Sequence, residues 1–432
     1  MKGKGSLFGR SWWVSVGVVL YGTGAVWPRA LLAAEYRWFK GNTHTHTWWS
    51  DGDSPPERAA SWYKEHGYNF LVLSDHNILS EGEKWVAVKG PRAEAAKTYE
   101  ATYGPDWVVK RGQGDQTEYQ LKPLSEVRTL FEEPGRFLLI PGEEISDAFE
   151  KQPVHLNGIN LRELVPPQKG ATLVETIQHN VDAVLAQREK TGWPMFPQLN
   201  HPNFHWAITA DDMAVIKGMK FFEVYNGHPA VHSFGDASHP STDRMWDVVL
   251  TRRLAELNLP IVYGLATDDA HTYVRFSRDG ANPGRGWVMV RARYLTPGHI
   301  VAALEAGDFY ATTGVVLDDV AFEDDVLTIA IHPEPGVTFT TQFIGTLADD
   351  ALESAAAAPG PTGSRPADPG PGVGRVLAQQ AGPRASYRMT GRELYVRAKV
   401  IATKTPPQPD VERESRSAWV QPVSPRTRQP TK

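Results

Sequence analysis

From Tyr36 onward, short runs of apolar and β-branched residues alternate with longer amphipathic or polar stretches, the pattern of an α/β fold. Predicted strands cover WFKGNT (38–43), FLVLS (70–74), FLLIP (137–141), VHLNGIN (154–160), MFPQLN (195–200), FFEVY (221–225), IVYGLA (261–266) and WVMVRA (287–292). Between them, SPPERAASWYKEHG (54–67) opens with a Ser-Pro-Pro helix entry and closes on glycine, while LVETIQHNVDAVLAQREK (173–190) carries apolar residues at helical spacing. Both read as helices packed on the sheet. Residues 80–126 are too long for one connection and form an insertion or a lid. Beyond residue 317, DVLTIAI, VTFTTQFIG and ELYVRAKVIA alternate as antiparallel strands do, predicting a small β-sandwich-like domain over 318–432. Inside it, 348–386 is rich in Ala, Pro and Gly and reads as a disordered loop, as do 404–416 and the tail.

A chain of 432 residues exceeds one ordinary core, and the pattern divides it into residues 1–34, a principal domain over 35–317 and the β-rich 318–432. The first 34 residues have a basic start, an apolar run from Ser11 to Trp27 and then LLAAEY. They predict an export signal to the periplasm or exterior; left uncleaved, the segment would anchor the chain to a membrane. Lys2, Lys4, Arg10 and Arg29 are the only charges of this segment, so the remainder carries −9 against −5 for the whole chain. That balance, without a dense basic block, excludes nucleic acid as the expected partner. There is no cysteine, which removes thiolate metal sites, disulfides and a Cys nucleophile.

Chemistry-bearing residues gather at the strands. GNTHTHTWWSDG sets His44 and His46 two apart, on one face of an extended chain, with Asp51 in the turn that follows. By itself such a pair is as easily structural as functional. However, FLVLSDHN ends in Asp75, His76 and Asn77, FLLIPGEEIS carries Glu143 and Glu144, and VHLNGIN carries His155. QLNHPNF supplies His201, and GLATDDAHTY supplies Asp268, Asp269 and His271. In a parallel barrel the strand C-termini open onto one face, so these residues would converge there. Packing so many ionisable groups together is costly unless cations neutralise the carboxylates. Imidazole with carboxylate and no sulfur suits Zn²⁺, Mn²⁺ or Fe²⁺, in more than one position.

The series HTHTWWSDG, SDHN, GEE, VH, NHP and DDAH resembles the PHP (polymerase and histidinol phosphatase) superfamily over residues 38–315. The export-like start with GEEIS, LNHPNF and EVYNGHP is similar to its CehA/McbA-like branch. This resemblance implies a distorted (β/α)7 TIM-like barrel and two or three divalent metal ions. It further implies that His44, His46, Glu144 and Asp269 hold one ion, with Glu144 bridging to a second held by His155 and His201. Asp51, His76 and His271 would hold the third. Glu144 over Glu143, and Asp269 over Asp268, follow the family patterns.

The expected activity is hydrolysis of a small-molecule ester by a metal-activated hydroxide, most directly a phosphomono- or phosphodiester. A carbamate or carboxylic ester is the alternative, with Trp48, Trp49 and Trp62 near the first motif suiting an apolar leaving group. A metal-stabilised binding module is a third reading. His228, in FFEVYNGHP, is a candidate general acid, and Asp75 is expected to orient His76 or its surroundings. Asn77, Asn200, Asn203, Tyr225 and Asn226 are candidate substrate contacts. Glu223 stands beside them without an assigned role.

Overall fold

The structure is a computed structural model and describes residues 1, 35–351, 370–406 and 415–425. The chain separates into a unit over Met1–Glu35 and a second over Tyr36–Lys432. The predicted export signal lies outside the described residues except for Met1. Among the described residues no helix is long and apolar enough to cross a membrane.

The second unit is mixed α/β. In its N-terminal part, β1 (Arg37–Asn42), β2 (Phe70–Leu73), β6 (Leu138–Phe149), β7 (Gln152–Ile159), β8 (Phe196–Leu199), β9 (Phe221–Asn226), β10 (Tyr263–Thr267) and β11 (Trp287–Ala292) follow the predicted strands. The insertion contributes β3 (Trp85–Ala87), β4 (Lys110–Arg111) and β5 (Glu118–Gln120) as a separate three-stranded sheet. Helices α1 (Pro56–Glu65), α2 (Pro91–Tyr103), α3 (Leu124–Phe131) and α4 (Leu173–Thr191) come next in interest, followed by α5 (Ala210–Ala214), α6 (Thr242–Ala255) and α7 (Pro297–Glu305). Thr172 caps α4 by accepting from Glu175 N, and Gly192 ends it in the left-handed conformation, as the sequence spacing requires.

The C-terminal strands are β12 (Phe309–Thr312), β13 (Leu317–Glu323), β14 (Val326–Ile331), β15 (Phe339–Leu347), β16 (Arg375–Ala381), β17 (Arg384–Arg388), β18 (Glu393–Ala402) and β19 (Ser417–Val423). β12 pairs with both β11 and β19, so one sheet of 13 strands runs in the order β10-β9-β8-β7-β6-β2-β1-β11-β12-β19-β18-β15-β16. β13, β14 and β17 form a second layer over it through a shared apolar core that includes Leu327, Ile329, Phe343 and Val400. β16 lies inside the stretch expected to be disordered. Its RVLAQQA segment pairs along β15, and the Ala/Pro/Gly enrichment that drove the expectation is concentrated in 352–369, outside the described residues.

Two features depart from the expected barrel. First, β1–β2–β6 and β8–β9–β10 pair in parallel, but β7 runs antiparallel to both neighbours, and β11 antiparallel to β1. Second, the barrel does not close. Phe39, Phe70, Phe196, Phe221, Leu265 and Val288 pack in one cluster, so the strands curve round a common core, yet no ladder joins β10 to β11. Instead the Gln421 amide on β19 stands in for a strand, accepting from Gly264 N and donating to Gly264 O, both at 2.9 Å. At the base of the core Gly41 is required, because a Cβ there would lie 2.1 Å from the Phe70 ring.

Candidate metal centre

Each strand delivers its polar residues to one rim by simple alternation. On β6, Ile140 points into the core, and Gly142 and Glu144 follow on the same face, whereas Glu143 points out. Glu143 accepts from Val165 N at 3.1 Å, and burial pushes its carboxyl up to about 8. After β1 a bend at Thr43 leaves His44 and His46 on one side, with Thr45 bridged to Ala270 and bonded to Val72 O at 2.6 Å. His76 forms a parallel bridge with Glu144. His155 reaches the same rim from the start of β7 rather than its end, because that strand is antiparallel. His201 and Asp269 follow β8 and β10 with positive φ (22° and 50°), backbone strain of the kind that collects at functional sites.

The nine side chains implied as ligands come together. His44 Nε2 and His46 Nε2 are 3.1 Å apart, and both face Glu144 Oε2 (3.4 and 3.2 Å) and Asp269 Oδ1 (3.2 and 3.1 Å). The other Glu144 oxygen lies 3.0 Å from His155 Nδ1 and 3.2 Å from His201 Nε2. Asp51 stands 3.3 Å from His271 Nε2 and 3.5 Å from His76 Nε2, and His76 Nδ1 is 2.9 Å from Glu144 Oε2. Four groups have ligand atoms spaced for a cation: His46/Asp51/His76/His271, His44/His46/Glu144, His44/His201/Asp269 and His76/Glu144/His155. Glu144 therefore sits at the junction. The groups overlap, so His201 stands beside His44 and Asp269 as well as Glu144, and His76 beside Glu144 and His155 as well as Asp51 and His271.

A layer of buried polar side chains holds this cluster. Glu223 Oε1 is 2.7 Å from His44 Nδ1 and also accepts from Gln198 and Thr267, while its Oε2 accepts from His201 N and Asn226 Nδ2. Orientation of an imidazole by a carboxylate on its far nitrogen is the usual support of a metal-binding histidine. Asn200 donates to Glu144 Oε1 and to Asn157 Oδ1, both at 2.9 Å. Sequence reasoning left Glu223 without a role. Its signal was a carboxylate two positions from Phe221, on the inward face of an apolar strand.

The remaining candidates divide. Asn226 reaches the cluster, donating to Asp269 Oδ2 at 3.1 Å, and Asn200 orients Glu144. Tyr225 does not: it stacks on Trp419 in the outer core, because β9 carries an extra residue at Val224 relative to β10. That bulge turns Tyr225 outward and Asn226 inward. Asn77 spends its amide on Ser146 N and O, and Asn203 donates to His232 O and Pro240 O, so both brace loops. Asp75 accepts from Thr47 N, Thr47 Oγ1 and Ser50 Oγ, and so braces the first motif loop. Asp268 accepts from Tyr63 and three backbone N–H groups of 284–286. Trp48 and Trp49 are buried in a core with the insertion, and Trp62 is stacked on His66 at 3.9 Å, so none offers a leaving-group surface.

Half-buried His228 lies 5.3 Å from the His271 ring. Its Nδ1 accepts from Ala230 N, which leaves the proton of the neutral ring on Nε2. Burial lowers its pKa to about 4, the pull of Asp269 being offset by His271 and His201. At neutral pH the ring is therefore uncharged, with an Nε2 proton to donate.

Burial alone would raise the carboxyls of Glu144 and Asp269, but the surrounding histidines hold both well below the usual range. Reciprocally, Asp269, Glu144 and Glu223 hold His44 above its ordinary value against burial, and Glu144 and Asp51 push His76 up to about 11. Glu144 Oε2 and Asp269 Oδ1 are nevertheless buried without a hydrogen bond of acceptable geometry. Oxygens in that state suit a cation.

No protein-family model and no curated protein matches the chain. Solved structures are similar to it, among them the following two. One, from Bacteroides vulgatus ATCC 8482, is a two-domain protein described as containing a predicted PHP-like metal-dependent phosphoesterase. It is 15% identical, with 87% of this chain and 93% of that chain covered and a TM-score of 0.40. The other, from Bifidobacterium adolescentis ATCC 15703, is described, by prediction, as a metal-dependent phosphoesterase. It is 13% identical, with 54% of this chain and 88% of that chain covered and a TM-score of 0.26.

Proposed function

We propose that the chain is a metal-dependent hydrolase of the PHP type acting on a small phosphomono- or phosphodiester. The observation that carries this reading is the pairing of two buried, unbonded oxygens, Glu144 Oε2 and Asp269 Oδ1, with the Nε2 atoms of His44 and His46 at 3.1–3.4 Å. Uncompensated, such desolvated carboxylates would cost several kcal/mol. With the His44 Nδ1 proton directed at Glu223, the Nε2 lone pair of the neutral ring points at the same spot. Two or three divalent ions (Zn, Mn or Fe) would supply an activated water and polarise the oxygen of the bond under attack. Around them Asn200 and Asn226 fix the carboxylates, and His228 offers its Nε2 proton to an oxygen of the substrate. The motif resemblance favours phosphoesters, whose oxygens can span several cations.

One observation favours the alternative, a carbamate or carboxylic ester. The half-buried Phe204 ring lies 5.2 Å from His201 and 6.2 Å from His155, an apolar surface beside the ligands. A metal-loaded panel of p-nitrophenyl phosphate, bis-p-nitrophenyl phosphate and a naphthyl carbamate separates the two. Turnover of a phosphate ester is expected; turnover of the carbamate alone would transfer the assignment to the alternative. If nothing is hydrolysed and chelation only lowers Tm, the cluster is a structural metal site. The basic start and apolar run of residues 1–34 support export as the setting for this activity.

A further inference from the structure

Eight of the nine clustered residues sit on strands or within four residues of a strand's end. Asp51 does not. It lies in the 48–53 loop, and its side chain is 57% exposed, against 27% for His76, the next most exposed. Within the loop, Gly52 N and Ser50 N both bond Thr47 O, at 3.0 and 3.1 Å, and Asp53 N bonds His271 O at 2.8 Å. A free loop of this length would not hold a carboxylate to a fraction of an ångström.

Asp75 braces the start of the loop through Thr47 and Ser50, and the insertion supplies a further constraint on either side of Asp51. Lys84, just before β3, donates to Trp49 O. Arg92, in the first turn of α2, donates from Nη2 to Ser50 O at 2.7 Å and from Nε to Gly52 O at 3.1 Å, bracketing Asp51 on both sides. At the other end of the insertion Lys122 O accepts from Trp49 Nε1 at 3.3 Å. Trp48 and Trp49 anchor the loop from below in a core with Tyr99 and Tyr119, the Trp48 ring meeting both edge-on at 5.8 and 5.7 Å. Lys84 and Arg92 thus spend donors on loop carbonyls. The planar fork of Arg92 suits two acceptors two residues apart.

We propose that Lys84 and Arg92 are positioning residues for Asp51, and that the insertion makes the outermost cation position (Asp51, His76, His271) depend on its own folding. The cation half of this inference rests on the metal-centre reading above. In full-length protein carrying Lys84→Ala and Arg92→Ala, amide hydrogen exchange across residues 48–53 is expected to rise about tenfold or more in the metal-free state. Exchange equal to wild type would overturn the clamp. After loading with Zn²⁺ or Mn²⁺ and dialysis against a chelator buffer, elemental analysis is expected to find about one ion fewer than in wild type. The remaining ions should leave at the wild-type rate; unchanged stoichiometry and release would overturn the coupling to metal. Arg92→Lys, which keeps charge but not the fork, should fall between and guards against a folding defect. Arg275→Ala breaks only the exposed pair with Glu94 on α2, at 2.8 Å, and should match wild type in both readouts. A wild-type protein that takes up no metal would sink the metal-centre reading, while the exchange measurement would still decide whether the clamp exists.

Discussion

Glu223 Oε1 lies 2.7 Å from His44 Nδ1, and neither side chain reaches solvent. Five groups converge on this carboxylate: His44, Gln198, Thr267, Asn226 and the backbone N–H of His201. It therefore sets the tautomer of one clustered histidine and the backbone of another.

Replacing Glu223 by Gln keeps the size but removes the charge that draws the His44 proton to Nδ1. Metal affinity is expected to fall about 10–100-fold with the fold retained. Competition with a chromophoric chelator measures this, with circular dichroism as the check on folding; wild-type affinity would refute the role.

Protons and cations compete for the same nitrogens. Glu144 and Asp269, held low, contribute stability to the metal-free protein above about pH 4.5 and lose it as pH falls through their folded values. His44, His46, His76 and His201, held high, contribute stability that is complete below about pH 6.5 and is lost as pH rises through the folded values, about 11 for His76. On this account the metal-free protein should melt highest between about pH 5 and 6.5. Metal loading should raise Tm more as pH increases, and should release protons at pH 7. Calorimetry in buffers of different ionisation enthalpy counts them, and uptake without release would contradict the geometry.

His228 carries an Nε2 proton with Nδ1 occupied by Ala230 N, and it stands outside the four cation-spaced groups. His228→Ala should lower kcat on a phosphate ester by about 100-fold while leaving metal content unchanged. Because the ring is already neutral well above pH 4, the acid limb of the rate profile should not follow its loss. Steady-state kinetics with elemental analysis tests both points.

Arg397 on β18 forms a fork with Asp247 on α6, Nη2–Oδ2 at 2.6 Å and Nε–Oδ1 at 2.8 Å, with Tyr395 donating to the same carboxylate. The pair ties the C-terminal strands to a helix of the half that carries the histidine–carboxylate cluster. Asp247→Ala leaves the buried guanidinium with Asp243 Oδ1, at 2.9 Å, as its remaining carboxylate and should cost about 3 kcal/mol, read by denaturant unfolding. A single transition for both wild type and variant would mark the two halves as one cooperative unit, as the continuous sheet requires; two separable transitions would argue otherwise.

Periodicity made the strands and the two principal helices legible, and strand-edge polar residues marked the cluster. What could not be read was which way each strand runs. His155 joins the rim only because β7 is antiparallel, and a hairpin leaves no local trace that distinguishes it from a crossover strand of the same composition. Nor could alternation foresee that an extra residue at Val224 exchanges Tyr225 for Asn226 at the site.

The aromatic pair after the second histidine shows the same division. Trp48 and Trp49 beside metal-binding residue types suggested a substrate wall, yet both are fully enclosed by the insertion. Which face an exposed-looking aromatic takes depends on a partner arriving from beyond residue 80, and no local term encodes that contact.

The sequence by itself determined the inventory: which residue types can bind a cation, that sulfur is absent, and where β-alternation and helical spacing begin and end. Those follow from side-chain chemistry and from backbone geometry within a few residues. Only the tertiary structure decided strand direction, the open seam beside which Gln421 bonds Gly264, and the contacts that turn Glu223 and Arg92 into supports. These depend on contacts between residues far apart in the chain, whose free energy exists only once the chain has folded.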